Sequence, residues 1–85
     1  MDQKTLEYMA ERVDKARDIN RRIKELEHFI TYMEGKSRVH IHDGHGNGPR
    51  IREEEYKRLL ISAKTAVLDA ILEEIELLKQ ELEEI

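Results

Sequence analysis

Lys36-Ser37-Arg38-Val39-His40-Ile41-His42-Asp43-Gly44-His45-Gly46-Asn47-Gly48-Pro49-Arg50-Ile51-Arg52 is the stretch on which the fold turns. It carries three of the four glycines, the only proline and three of the four histidines, and it interrupts a chain that otherwise reads as helix. Arg38-Val39-His40-Ile41-His42 alternates polar and apolar, and Arg50-Ile51-Arg52 resumes the alternation, so two short strands are expected. Asp43-Gly44 and Asn47-Gly48 are hairpin-turn dipeptides, and glycine tolerates the positive φ that such turns require. Setting Val39 across from Ile51 pairs His40 with Arg50 and Arg38 with Arg52, and leaves 43–47 as the loop. Pro49, which has no N–H, then takes an edge position. A lone two-stranded hairpin is marginal, so Val39, Ile41 and Ile51 are expected to pack on the helix ends or on a neighbouring hairpin.

Upstream of this insert, Leu6, Met9, Val13, Ala16, Ile19, Ile23, Leu26, Ile30 and Met33 recur every three or four residues, which predicts a helix over 3–34. Asp2 is a candidate N-cap, and Gly35 followed by Lys36 supplies the stop. The stripe is not one heptad register. Leu6, Met9, Val13 and Ala16 share a register whose next core position is Asn20, and from Ile19 onward the register has slipped by three residues. Such a slip overwinds a coiled coil or marks the point where a helix changes partner. Asn20 can fix register if buried; a solvated side chain is the simpler reading.

Downstream, a second helix is expected over 53–84, starting on Glu53-Glu54-Glu55, whose carboxylates suit the positive end of the helix dipole. Ile61, Leu68, Ile75 and Leu82 repeat every seven residues, with Ile71, Leu78 and Ile85 at the other core position and Lys64 as the exception. A second stripe of Leu60, Ala63, Val67 and Ala70 lies beside it. One partner helix cannot cover both. Helices of this length span about 45 Å, and an antiparallel pair encloses no core, so one stripe is expected to meet the first helix and the other a second subunit. The expected fold is mainly α: one domain, 1–85, of two long amphipathic helices joined by a short β-hairpin and assembled into an oligomeric helical bundle.

The chain has 85 residues, no cysteine and a net charge of −4. A disulfide framework or thiolate zinc site is therefore excluded, and a reducing compartment is compatible. Asp2, Glu7, Glu11 and Asp14 break any leader-like apolar run, and no segment has membrane-spanning length, so a cytoplasmic protein with no membrane partner is expected. Residues 36–52 carry four cations against Asp43, whereas 59–85 carry two cations against seven carboxylates. Basic charge confined to the insert fits a small anionic ligand better than duplex nucleic acid, which calls for a basic stripe along a face.

Three chemistries compete for the same side chains. Arginines, imidazoles and glycine-flanked N–H groups are what phosphate recognition uses, which makes Arg38, His40, His42, Gly44, His45, Gly46, Arg50 and Arg52 the candidate ligand-binding residues. His40, His42, His45 and Asp43 have metal-ligand character, but neighbouring arginines repel a cation, and no metal or cofactor is expected. The third reading is a soluble sheet face and a glycine turn, with no ligand. Gly35-Lys36-Ser37 is not a phosphate loop, because Ile30 occupies the place of that motif's first glycine and no strand precedes it. His28 reads as a surface residue and Tyr8, Tyr32 and Tyr56 as core-edge packing. Ser37 and Ser62 have no base at a catalytic spacing, and the Glu73/Glu74 and Glu83/Glu84 pairs are solvated helix composition, so no enzyme activity is expected.

The order of a charged helix ending in Leu26-Glu-His-Phe-Ile30, a Val39-x-Ile-x-Asp-Gly-x-Gly46 hairpin, Glu53-Glu-Glu-Tyr56 and a Leu/Glu/Lys helix ending in Leu78-Lys-Gln-Glu-Leu-Glu-Glu84 resembles small helix–hairpin–helix proteins encoded by phages and prophages. That resemblance implies an accessory or host-interaction role, such as sequestration of a nucleotide signal. The competing expectation is a structural, protein-interacting coiled coil in which the hairpin is only a connector.

Overall fold

The computed structural model describes residues 3–85, so the Asp2 cap lies outside the described residues. Helix α1 runs Gln3–Met33, strand β1 Arg38–His40, strand β2 Arg50–Arg52 and helix α2 Glu53–Glu83, with β1 and β2 forming a two-stranded antiparallel sheet. The chain is thus mainly helical, two long helices folded back on one another around a small hairpin.

The helix–helix seam draws on one stripe of each helix. Ile19 and Ile23 of α1 and Ile71, Ile75 and Leu78 of α2 are its buried centre, with Leu26, Ile30, Met33, Leu82 and Ile85 packed against it. Spacings of three and four residues keep these side chains on one face of each helix. The Arg12 guanidinium donates to the Ile85 carbonyl at one end, and the Lys64 ammonium donates to the Lys36 carbonyl, 2.8 Å away, at the other. Lys64 is the polar exception in the α2 repeat because its task lies at the chain reversal, where the carbonyls beyond α1 need donors.

Expectation and structure part over the division of α2. The two stripes do not each take one partner. Ile75 is in the intrachain core while Ile61, of the same repeat, is half exposed; Leu60 is only 3 % exposed while Val67, of the other repeat, faces outward. Helix α2 meets both α1 and the two hairpin strands, so its buried face is not set by one partner.

Gly35 ends α1 at φ 70°, the left-handed conformation that stops helices, and the Lys36 N–H donates back to the Met33 carbonyl. Helix α2 does not run unbroken from its three carboxylates. Tyr56 is non-helical (φ −136°, ψ 61°), so Glu53–Glu55 form a separate turn. The Glu53 N–H of that turn donates to the Ser37 carbonyl at the base of the hairpin, 3.0 Å away. Tyr8, Tyr32 and Tyr56 are all exposed rather than packed at the core edge, and Asn20 is exposed within the single chain.

Candidate ligand-binding hairpin

The register is Arg38 with Arg52, Val39 with Ile51 and His40 with Arg50, as the alternation requires. It continues past the strands: the Ile41 N–H donates to Pro49 O (3.1 Å) and the Asp43 N–H to Asn47 O (2.9 Å). The loop is therefore Gly44-His45-Gly46, shorter than 43–47. The regular ladder stops at His40 and Arg50 because Pro49 has no hydrogen to return to the Ile41 carbonyl. Gly48 follows from the same crowding, since a Cβ there would sit 1.8 Å from Ile41 O.

Asp43 organises the turn. Its carboxylate accepts the His45 N–H (2.8 Å) and the Asn47 N–H (3.0 Å), and its carbonyl accepts the Gly46 N–H (3.1 Å). Gly46 takes φ 81°, the position after a turn that glycine fills in three-residue hairpin loops. The Asn47 and His45 N–H groups hold the Asp43 carboxyl below its usual range. The His45 and Asn47 N–H groups, which glycine-flanked phosphate recognition would use, are thus taken by the chain's own carboxylate, and the Gly46 N–H by the Asp43 carbonyl. The His45 and Gly46 N–H groups close the turn, and the His45 ring lies exposed at the tip. The signal was present in Asp43-Gly44-x-Gly46: an aspartate opening a turn bonds the amides two to four residues on.

The remaining candidates share one face. Arg38, His40 and His42 alternate along the first strand, and Arg50 and Arg52 stand opposite, at positions where side chains approach most closely. The His40 and His42 rings lie 4.7 Å apart, tilted by 32°. His42 Nδ1 donates to the Asp43 carbonyl at 2.9 Å, which puts the hydrogen on that nitrogen. Desolvation, then the Arg50 charge and then His42, keep His40 below the ordinary imidazole range. The Arg38 and Arg52 guanidinium groups face each other across the strands, an arrangement that destabilises an isolated sheet. Arg52 alone of this set is paired with a carboxylate, Glu55, at 2.9 Å, and its Nε is buried without a partner.

Val39 and Ile51 on the reverse face are half-buried beside α2, whereas Ile41, expected to pack with them, is 64 % exposed. Among the described residues no three histidine, aspartate or glutamate side chains converge as a metal ion would require. No helix among them is long and apolar enough to cross a membrane. His28 is exposed on α1. Comparison with protein-family models, with curated proteins and with solved structures finds no match for this chain.

Proposed function

We propose that this chain is a non-enzymatic, self-associating helical binding protein of the cytoplasm, whose hairpin takes a phosphate-bearing small ligand such as a nucleotide signal. A phage accessory or host-interaction role, sequestering such a signal, is the biological setting that the sequence resemblance favours. One observation carries the reading: Arg38, His40, His42 and Arg50 crowd one exposed face, and among the described residues the one carboxylate paired there, Glu55, is taken by Arg52. A bound phosphate offsets the charge of Arg38 and Arg50 and accepts charge-assisted hydrogen bonds from them.

The test is a thermal-shift screen of linear and cyclic nucleotides, repeated on Arg38→Ala and Arg50→Ala. Stabilisation that both substitutions abolish supports the reading; no shift with any anion removes it. Arg52 is unsuitable for the test, because its loss also frees Glu55. A second reading, a coiled-coil interaction module with the hairpin as connector, is favoured by the apolar side chains left exposed on both helices, among them Leu6, Val13, Leu59 and Leu72. Under it, activity in the host survives replacement of 38–52 by a glycine-serine turn.

A further inference from the structure

The Leu6, Met9, Val13, Ala16 and Asn20 register is not used by the intrachain seam. At about 100° per residue, Leu6, Met9 and Val13 lie about 110° round α1 from the Ile19–Met33 stripe, and they are 54 %, 48 % and 48 % exposed. Ile61, Leu68 and Leu72 are displaced in the same rotational sense on α2, by about 80°. In an antiparallel helix pair, equal senses of rotation bring both sets to one face. That face also holds an open groove of about 350 Å³ lined by Ile30, Met33, Ile61, Lys64 and Leu68.

We infer that this face is covered by a second copy of the chain, in parallel two-fold register, with the N-terminal halves of α1 pairing through Leu6, Met9, Val13, Ala16 and Asn20. The inference rests on the self-association proposed above and specifies its surface and direction. Asn20 decides the direction. In parallel register Asn20 meets its own copy at a core position, where paired asparagines hydrogen-bond and fix both register and orientation. An antiparallel pairing centred on Asn20 would instead oppose Val13 to Glu27 and Leu6 to Glu34. Arg12, a cation flanking the seam, is turned back to its own chain by the Ile85 carbonyl and the Tyr8 ring, 5.6 Å away. A contact strip about 15 Å wide along the roughly 46 Å of α1 covers roughly 700 Å² per copy, somewhat below the ~800 Å² typical of stable dimers. Parallel register also sets two basic hairpins at the same end of the dimer.

The chain has no cysteine, so single replacements report direction cleanly. Val13→Cys and Asn20→Cys are each oxidised in the otherwise intact chain, alongside sedimentation equilibrium of the unmodified protein. A parallel pair brings both positions within disulfide reach of their own copies, whereas an antiparallel pair has one axis and cross-links at most one of them. The expected result is a dimer in which both variants form a covalent dimer in high yield. A dimer in which only one variant, or neither, cross-links overturns the parallel register and leaves self-association standing. A monomer at micromolar concentration overturns both. Leu6→Asp, at an exposed position, is expected to dissociate the dimer with its helical circular dichroism retained.

Discussion

The helix seam and the hairpin are held by different forces. The seam is five buried aliphatic side chains flanked by half-buried ones, with no buried polar side chain among the described residues; its stability comes from area removed from water, which scales with side-chain size and ignores pH. Only Val39 and Ile51 anchor the hairpin by burial. It is otherwise fixed by backbone bonds, by Asp43 accepting two amides, and by two glycines whose Cβ-free backbone the geometry needs. The difference teaches that the molecule has a robust half and a tunable half, and that the candidate ligand face is built on the second.

The contrast breaks most visibly at the seam. Leu78→Ala, at a side chain 3 % exposed, should cost about 2–5 kcal/mol and lower the melting temperature of the whole chain in calorimetry. Leu60→Ala, equally buried but outside the cluster of Ile19, Ile23, Ile71, Ile75 and Leu78 and nearer the hairpin in sequence, should cost a similar amount, and exchange protection at the Ile41 and Asp43 amides should fall before that of α1. Gly46→Ala forces a Cβ into the left-handed region and should cost about 1–2 kcal/mol, read as local amide exchange in 38–52. Lys64→Met removes the bond to Lys36 O and should cost about 1 kcal/mol in denaturant midpoint.

The smallest effect is titration. Asp43 has a lowered folded pKa, so its contribution is full above the ordinary carboxylate range and is lost as pH falls through the lowered value. His40 also has a lowered folded pKa, so the unfolded chain binds the extra proton and the hairpin loosens as pH drops through the ordinary imidazole range. Amide exchange against pH should therefore show weakening at 38–52 in two steps, with the Ile71–Leu78 amides unchanged. Equal loss in both regions would erase the distinction.

Periodicity made the two helices, the Gly35 stop and the Val39–Ile51 register legible, because each depends on local spacing and turn chemistry alone. The division of α2 was not legible. Whether Ile61 or Leu60 turns inward depends on where the hairpin sits above the helix, a tertiary relation that a repeat of seven does not encode. Lys64 looked like a flaw in the repeat for the same reason, since its acceptor lies 28 residues away. For the site, the strand face could be read from alternation, but the fate of the loop amides required knowing that Asp43 folds back on its own turn. The break at Tyr56 had no signal beyond an aromatic residue following three carboxylates.

The molecule measures 64 × 27 × 15 Å, with a radius of gyration of 18.5 Å, against about 12 Å for a compact domain of this length. Its frictional drag is therefore that of a rod. On a sizing column calibrated with globular standards, even a single 10.1 kDa chain elutes early and imitates an assembly. Elution volume alone thus overstates the subunit number, and only a shape-independent mass, from sedimentation equilibrium or light scattering, counts the chains.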